Sequence, residues 1–277
     1  MVFFCGISLK TVNGLSGGIS SMKLKPIDEL TFTDDYMFKE VVTRNLNIAK
    51  KIVEFALKRK VKDIHLAGTE VEKQGSYLTK KTRYDVLLEG EDAWIVIEMQ
   101  TEKKTDYPLR IRTYHVHLAE EDMKLHKDYK DMKENIVIFI CTEDYFGEKQ
   151  PVYTFGTMET TLHLPLDEKR TTIFINPDGD TDDEEIKAFL KYLKEGTVTD
   201  DFTKEIEDTV TEIKDNQDFR GSYMTLEEKY KDFRDDGYKE GKEEGIKQGK
   251  EEGIQEEKNE TCKNALMMNF ELSAIQN

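Results

Sequence analysis

Apolar positions along the chain change their spacing several times, and each change marks a different kind of element. From Met37 and Val41 to Ile48, Ile52, Phe55 and Ala56 they recur at helical intervals, which predicts two helices. The first covers residues 34–45 and opens on Asp34 or Asp35; the second covers 47–58 and opens on Asn47, because short oxygen-bearing side chains satisfy the amides at a helix start. Residues 61–66 read as a short strand. Segments 77–88 and 92–101 are rich in β-branched, aromatic and aliphatic residues, with the turn-forming run Glu89-Gly90-Glu91-Asp92 where they meet, so together they predict a β-hairpin. Tyr107-Pro108 begins a helix that reaches Lys124, its proline falling in the first turn where a missing N–H does no harm.

The pattern continues with a buried-type strand over 135–141 and two further strands over 151–155 and 171–175. Helical spacing returns over 183–195 and 202–217, through Ile186, Phe189, Leu190 and Leu193 and then Ile206, Val210 and Ile213. Helices alternating with strands in this order predict an α/β fold. Beyond residue 234, Gly237, Gly241, Gly245, Gly249 and Gly253 recur every four residues among Lys and Glu. Opposite charges on neighbouring turns support a helix there, while each glycine weakens it by roughly 1 kcal/mol relative to alanine. The stripe reads either as a solvated, partly frayed extension or as a surface for close helix pairing.

Composition bounds the function. The net charge is −16 over 277 residues, which excludes a protein whose whole surface attracts nucleic acid. Acid is concentrated at 178–183, 200–215 and in the tail, whereas basic residues gather at 23–25, 50–51, 58–60, 80–83 and 110–112, so a local positive groove is compatible with an acidic whole. Cys5, Cys141 and Cys262 are widely separated and odd in number, which points to a reducing, cytoplasmic setting without disulfides, with Cys141 as a small buried hydrophobe. No stretch approaches the ~20 apolar residues of a membrane span. Residues 1–21 lack the basic start and long apolar run of a signal peptide; they read as a disordered leader, or as sequence preceding a true start at Met22. The expected partition is a leader (1–21), a main domain (22–178), a helical region (179–233) and the charged tail (234–277).

Candidate chemistry lies in the hairpin. Asp85 falls nearly opposite Glu98, and alternation turns Glu98 and Gln100 to one face and Ile97 and Met99 to the other. Two carboxylates among Val, Ile and Trp repel each other and lose hydration, which a cation or a hydrogen-bond network offsets. Oxygen donors alone suit Mg²⁺ or Mn²⁺. The competing reading is a hairpin with two solvent-facing acids. Arg110, Tyr114 and Leu118 share a helix face close behind, where Arg110 reads either as a phosphate clamp or as the ion-pair partner of an acid. On that helix His115 and His117 diverge, which argues against joint metal binding.

Asp85 with Glu98-Met99-Gln100 resembles the core of the PD-(D/E)XK nuclease superfamily. Asp34 to Lys39, Arg110 with Tyr114, residues 136–142, residues 187–192 and the Gly/Glu/Lys-rich tail extend the likeness to the recombination-promoting nuclease and transposase family, over residues 26–255. Two positions depart from the superfamily pattern: Tyr84 stands where its name implies proline, and Gln100 where it usually has lysine. The resemblance implies a restriction-endonuclease-like mixed sheet flanked by helices, with a C-terminal helical region and tail. It implies that Asp85, Glu98 and the Met99 backbone carbonyl hold Mg²⁺ or Mn²⁺, that Gln100 orients water, and that Arg83, Arg110, Tyr114 and Lys81 contact phosphate or DNA, with Lys80 a further candidate cation. Asp35 and Lys39 would be accessory, although Asp35 and Phe38 also read simply as a cap and a core aromatic. The implied activity is a metal-dependent DNA endonuclease associated with recombination or transposition, as a homodimer if the tail pairs. The alternative is a catalytically weak nuclease-like assembly module. RNA as substrate stays open.

Overall fold

The computed structural model describes residues 25–69, 72–73, 82–124 and 128–275. The expected leader, Met22, Cys5, Lys80 and Lys81 lie outside the described residues. By contacts the chain forms one unit of Pro26–Phe219 and a second built on residues from Arg220 onward.

In the first unit, α1 (Asp35–Arg44) and α2 (Leu46–Leu57) precede β1 (Ile64–Thr69) and a two-stranded ladder of β2 (Glu72–Lys73) and β3 (Thr82–Arg83). The hairpin of β4 (Val86–Gly90) and β5 (Ala93–Gln100) leads into α3 (Tyr107–Lys124), followed by β6 (Glu134–Cys141), β7 (Val152–Phe155) and β8 (Arg170–Ile175). Two further helices, α4 (Glu184–Glu195) and α5 (Asp201–Asp215), complete it. Six strands form a mixed sheet in the order β1-β4-β5-β6-β8-β7, with β5, β6 and β8 parallel and the outer pairings antiparallel. This is the expected α/β architecture.

Alternation divides the sheet into two buried faces. Trp94, Val96, Val137, Phe139 and Phe174 pack against Tyr107, Ile111, Tyr114 and Leu118 of α3. The opposite face carries Ile95, Ile97, Ile136 and Ile138, and α1 and α2 pack on the sheet with Met37, Phe38, Val41, Ile48 and Ile52 wholly buried. Burying each of these side chains contributes roughly 1.5–3 kcal/mol. Trp94 Nε1 donates to Asp122 Oδ1 at 3.0 Å, and the Lys133 N–H donates to Asp122 Oδ2 at 2.9 Å, which pins the far end of α3 to the hairpin.

The boundaries differ from the sequence pattern in physically instructive places. Asn45, not Asn47, caps α2, its side chain accepting from the Asn47 N–H at 3.1 Å. Asp34 precedes α1 but turns its carboxylate to the N–H of Thr31, 2.8 Å away. The first strand begins at Ile64 rather than 61, because the Val61 N–H is tied back to Glu54 Oε1 at 3.2 Å. Among the described residues the strand before the hairpin turn is Val86–Gly90, and Thr82–Arg83 pair with Glu72–Lys73 instead, while residues 77–81 of the expected strand lie outside the described residues.

The contact-based division also differs from the expected border at 178. Phe189 and Phe202 of α4 and α5 meet Phe55 of α2 at ring-centroid distances of 5.7 and 5.3 Å, so these helices belong to the same core. Their own ends are well specified: Asp183 and Asp200 cap them, and Gly196 ends α4 at φ 68°, a left-handed conformation that glycine adopts without strain. The last helix, α6 (Gln217–Ile275), contains the glycine stripe, and a methyl added at any of the five glycines of that stripe would meet nothing within 4 Å. No helix among the described residues is long and apolar enough to cross a membrane. Cys141 is buried beside α3, and burial pushes its thiol up to about 12.

Candidate active site

Asp85 lies in the bend that enters β4, and the register that pairs Val86 with Ile97 sets it across from Glu98. The two carboxylates interlock through the backbone. The Asp85 N–H donates to Glu98 Oε1 at 2.9 Å, and the Met99 N–H donates to Asp85 Oδ2 at 3.2 Å. Gln100, two residues on and therefore on the same face, donates through Nε2 to Glu98 Oε2 at 3.3 Å. Asp85 is 9% exposed and Glu98 2%, which overturns the reading of two solvent-facing acids.

Each layer of helices sends one cation to this pair. From α3, Arg110 Nη2 lies 3.3 Å from Glu98 Oε2 and donates to the Tyr114 hydroxyl at 2.7 Å, while Nη1 donates to Gln100 Oε1 at 3.2 Å. The Tyr114 hydroxyl donates in turn to Glu98 Oε2 at 3.2 Å. The Arg110 guanidinium also sits 5.7 Å from the ring centres of Tyr107 and Tyr114. From α1, Lys39 Nζ lies 3.1 Å from Asp85 Oδ1 and 2.9 Å from Asp35 Oδ2. Of the two sequence readings of Arg110, the structure displays the ion pair.

Electrostatics follow from this crowding. Burial, then the nearby charge of Asp35, pushes the Asp85 carboxyl above its ordinary range, with Lys39 pulling it back. Burial, then the charge of Asp85, does the same to Glu98, opposed by Arg110 and Tyr114. For Lys39, burial works against the charge, but Asp85 and Asp35 more than offset it and hold the ammonium above its usual value.

A cleft of about 320 Å³ opens over the pair, lined by Asp35, Asp85, Glu98, Met99, Gln100 and Arg110 together with Thr101, Glu102, Lys104 and Tyr107. It sits at the carboxyl end of β5, where open α/β sheets gather their ligands. Two larger hollows, about 660 and 640 Å³, border the opposite strand ends near Glu89 and Glu134 and hold no such interlocked acids. Asp35, Lys39, Asp85, Glu98, Met99, Gln100, Arg110 and Tyr114 thus come together. The side chain of Arg83, like Lys81, lies outside the described residues. The sequence pattern did not single out Glu102 and Lys104 of the loop after β5 or Tyr107 at the start of α3 as cleft residues, although their place directly after the Gln100 strand was a usable signal. His115 and His117 diverge as expected, toward Thr172 and Glu120 respectively.

The mixed sheet with helices on both faces defines a restriction-endonuclease-like fold, with the interlocked carboxylates at its centre. The model of the PD-(D/E)XK nuclease family transposase matches residues 32–213, and the chain belongs to that family. A nuclease-like or transposase-related role follows at that level. Neither the curated proteins nor the solved structures give a match.

Nucleases of this family typically use divalent metals. Among the described residues no three His, Cys, Asp or Glu side chains converge as ligands. Two carboxylates beside amide and carbonyl oxygens nevertheless fit Mg²⁺, which commonly takes one or two carboxylates and fills its remaining positions with water and substrate phosphates. Lys39 and Arg110, each drawn to one of the acids, mark the same demand for positive charge.

Proposed function

We propose that this protein is a divalent-metal-dependent endonuclease that hydrolyses DNA phosphodiester bonds, in the setting of recombination or transposition. The observation that carries the reading is the buried Asp85–Glu98 pair, interlocked at 2.9 and 3.2 Å at the floor of an open cleft. Asp85, Glu98 and the Met99 carbonyl would hold Mg²⁺ or Mn²⁺. A divalent cation there supplies Lewis-acid polarisation of a phosphoryl oxygen and makes water more acidic.

The chain's own groups do the rest. Gln100, fixed between Glu98 and Arg110, presents an amide that aligns water but carries no charge. Arg110 offers a planar guanidinium to phosphate oxygens, with Tyr114 holding its orientation. In the reaction a water oxygen bonds to phosphorus, one ester P–O bond breaks, and the departing oxygen takes up a proton equivalent to the one that water gives up. Lys81 and Arg83 would contact phosphate or DNA. A homodimer, joined through the glycine stripe of α6, would allow both strands of a duplex to be cut.

The second reading, a catalytically weak assembly module, is favoured by one observation. Both acids already have protein cations, and Gln100 is neutral. Calorimetric titration with Mn²⁺ separates the two readings. One site lost in Asp85→Asn and in Glu98→Gln is expected for the nuclease; no binding by the wild type would sink it.

A further inference from the structure

We propose that Lys39 supplies the positive charge at the scissile phosphate that the neutral Gln100 cannot, an inference that rests on the nuclease reading above. Phosphodiester hydrolysis builds negative charge on the phosphoryl oxygens as water adds to phosphorus, and preorganised cations in a water-poor site stabilise that charge far better than exposed ones.

Two described cations, Arg110 and Lys104, line the cleft, and a third, Lys39, is paired with two of its acids. Arg110 lines it, but its guanidinium is engaged by Glu98, Gln100 and the Tyr114 hydroxyl, and it lies on the Glu98 side. Lys104 lines it too, but its side chain is half exposed and paired with Glu102 at 3.3 Å, where water weakens its field. Lys39 is likewise held, by Asp85 and Asp35, but it approaches the pair from the Asp85 side. It is 8% exposed, it comes from α1, and its ammonium lies directly behind two carboxylates that line the cleft.

Geometry gives this lysine somewhere to go. Asp85 and Asp35 hold the ammonium at 3.1 and 2.9 Å, and the Asp35 side chain is 59% exposed at the cleft wall. With a metal ion sharing the charge of Asp85, Asp35 would still hold Lys39 near the cleft. A flexible four-carbon stem lets the ammonium follow. A phosphate over the carboxylate pair would then be met by Lys39 from one layer and Arg110 from the other. Lys39 donates hydrogen bonds to the phosphoryl oxygens and keeps its proton; water is the only co-reactant.

The test compares wild type, Lys39→Met, Lys39→Gln and the double variant Lys39→Met with Gln100→Lys, all as full-length chains. Single-turnover cleavage of a fluorescent DNA duplex is measured at saturating Mg²⁺, beside duplex affinity by anisotropy in chelator and Mn²⁺ affinity by calorimetry. Lys39→Met should cut about 100-fold more slowly, in line with loss of one preorganised donor, while duplex affinity changes less than threefold and Mn²⁺ affinity does not fall. Lysine at position 100 should restore at least tenfold of the lost rate, which a merely structural role for Lys39 would not allow. If Lys39→Met does not fold, Lys39→Gln keeps polar contacts to both acids without the charge and should show the same loss. Wild-type cleavage by Lys39→Gln, or loss of Mn²⁺ binding, would overturn this role alone. A wild type that binds Mn²⁺ but never cuts would overturn it together with the nuclease reading.

Discussion

Acidification from pH 7 to pH 4.5 should loosen α3, the helix that carries Arg110 and Tyr114, through His115. Its ring is 5% exposed and its Nε2 lies 2.8 Å from Thr172 Oγ1 on β8, while Nδ1 has no hydrogen-bond partner among the described residues. Burial, then the nearby charge of Arg170, pushes the imidazole down from 6.5 to about 4. Between those values the unfolded chain binds a proton that the folded protein refuses. Stability is therefore unaffected above 6.5, falls as the pH drops through the interval, and levels off below 4. At 1.36 kcal/mol per unit the whole difference is about 3 kcal/mol, and most of it is lost by pH 4.5. Urea denaturation at both pH values, followed by the fluorescence of the single tryptophan, Trp94, measures it. Carboxylates that titrate over the same range act on wild type and His115→Gln alike, so the variant should lose about 2 to 3 kcal/mol less than wild type. Equal losses in the two proteins would refute the argument.

Other expectations concern the site and the tail. Because Asp85 and Glu98 titrate above their ordinary values, each carboxylate destabilises the metal-free fold as the pH rises past the point where it ionises in the unfolded chain. Glu98→Gln should therefore melt above wild type at pH 8 in chelator, with the gap closing toward pH 4; a lower melting temperature at pH 8 would contradict this. Arg110→Ala leaves Glu98 buried without its guanidinium and should cost about 3 kcal/mol in urea melts, whereas unchanged stability would show that the pair contributes nothing. Alanine at Gly241, Gly245 and Gly249 meets no neighbour and should favour helix by about 1 kcal/mol each, raising far-UV ellipticity; a fall would point to close packing along the stripe.

Much of the site was legible because it is local in sequence. The alternation of Glu98, Met99 and Gln100 along one strand, and the tight connection from Val86 to Ile97, place two acids and an amide on one face by geometry alone. The Tyr107 start of α3 and the four-residue step from Arg110 to Tyr114 were equally readable. What could not be read was long-range. The family resemblance marked Lys39 as accessory, but nothing in the pattern around it announces that it will meet Asp85, 46 residues further on. The inclusion of α4 and α5 in the core depends on Phe55 meeting Phe189 and Phe202 across more than a hundred residues, whereas the sequence showed only two amphipathic helices. Asp122, a polar position on α3, is wholly buried and accepts a hydrogen bond from Trp94, 28 residues back in the chain. Capping failed for a subtler reason: Asn45 and Asn47 are chemically equivalent candidates, and the break between α1 and α2 selects the earlier one.

The most direct test of the central claim is nicking of supercoiled plasmid by the full-length protein at low salt, with Mg²⁺, Mn²⁺ or chelator, beside Asp85→Ala and Glu98→Ala. Nicking should depend on the metal and disappear in both variants while their circular dichroism still reports a folded chain. Nicking that survives either substitution, or a folded wild type that never exceeds the variants, would contradict it.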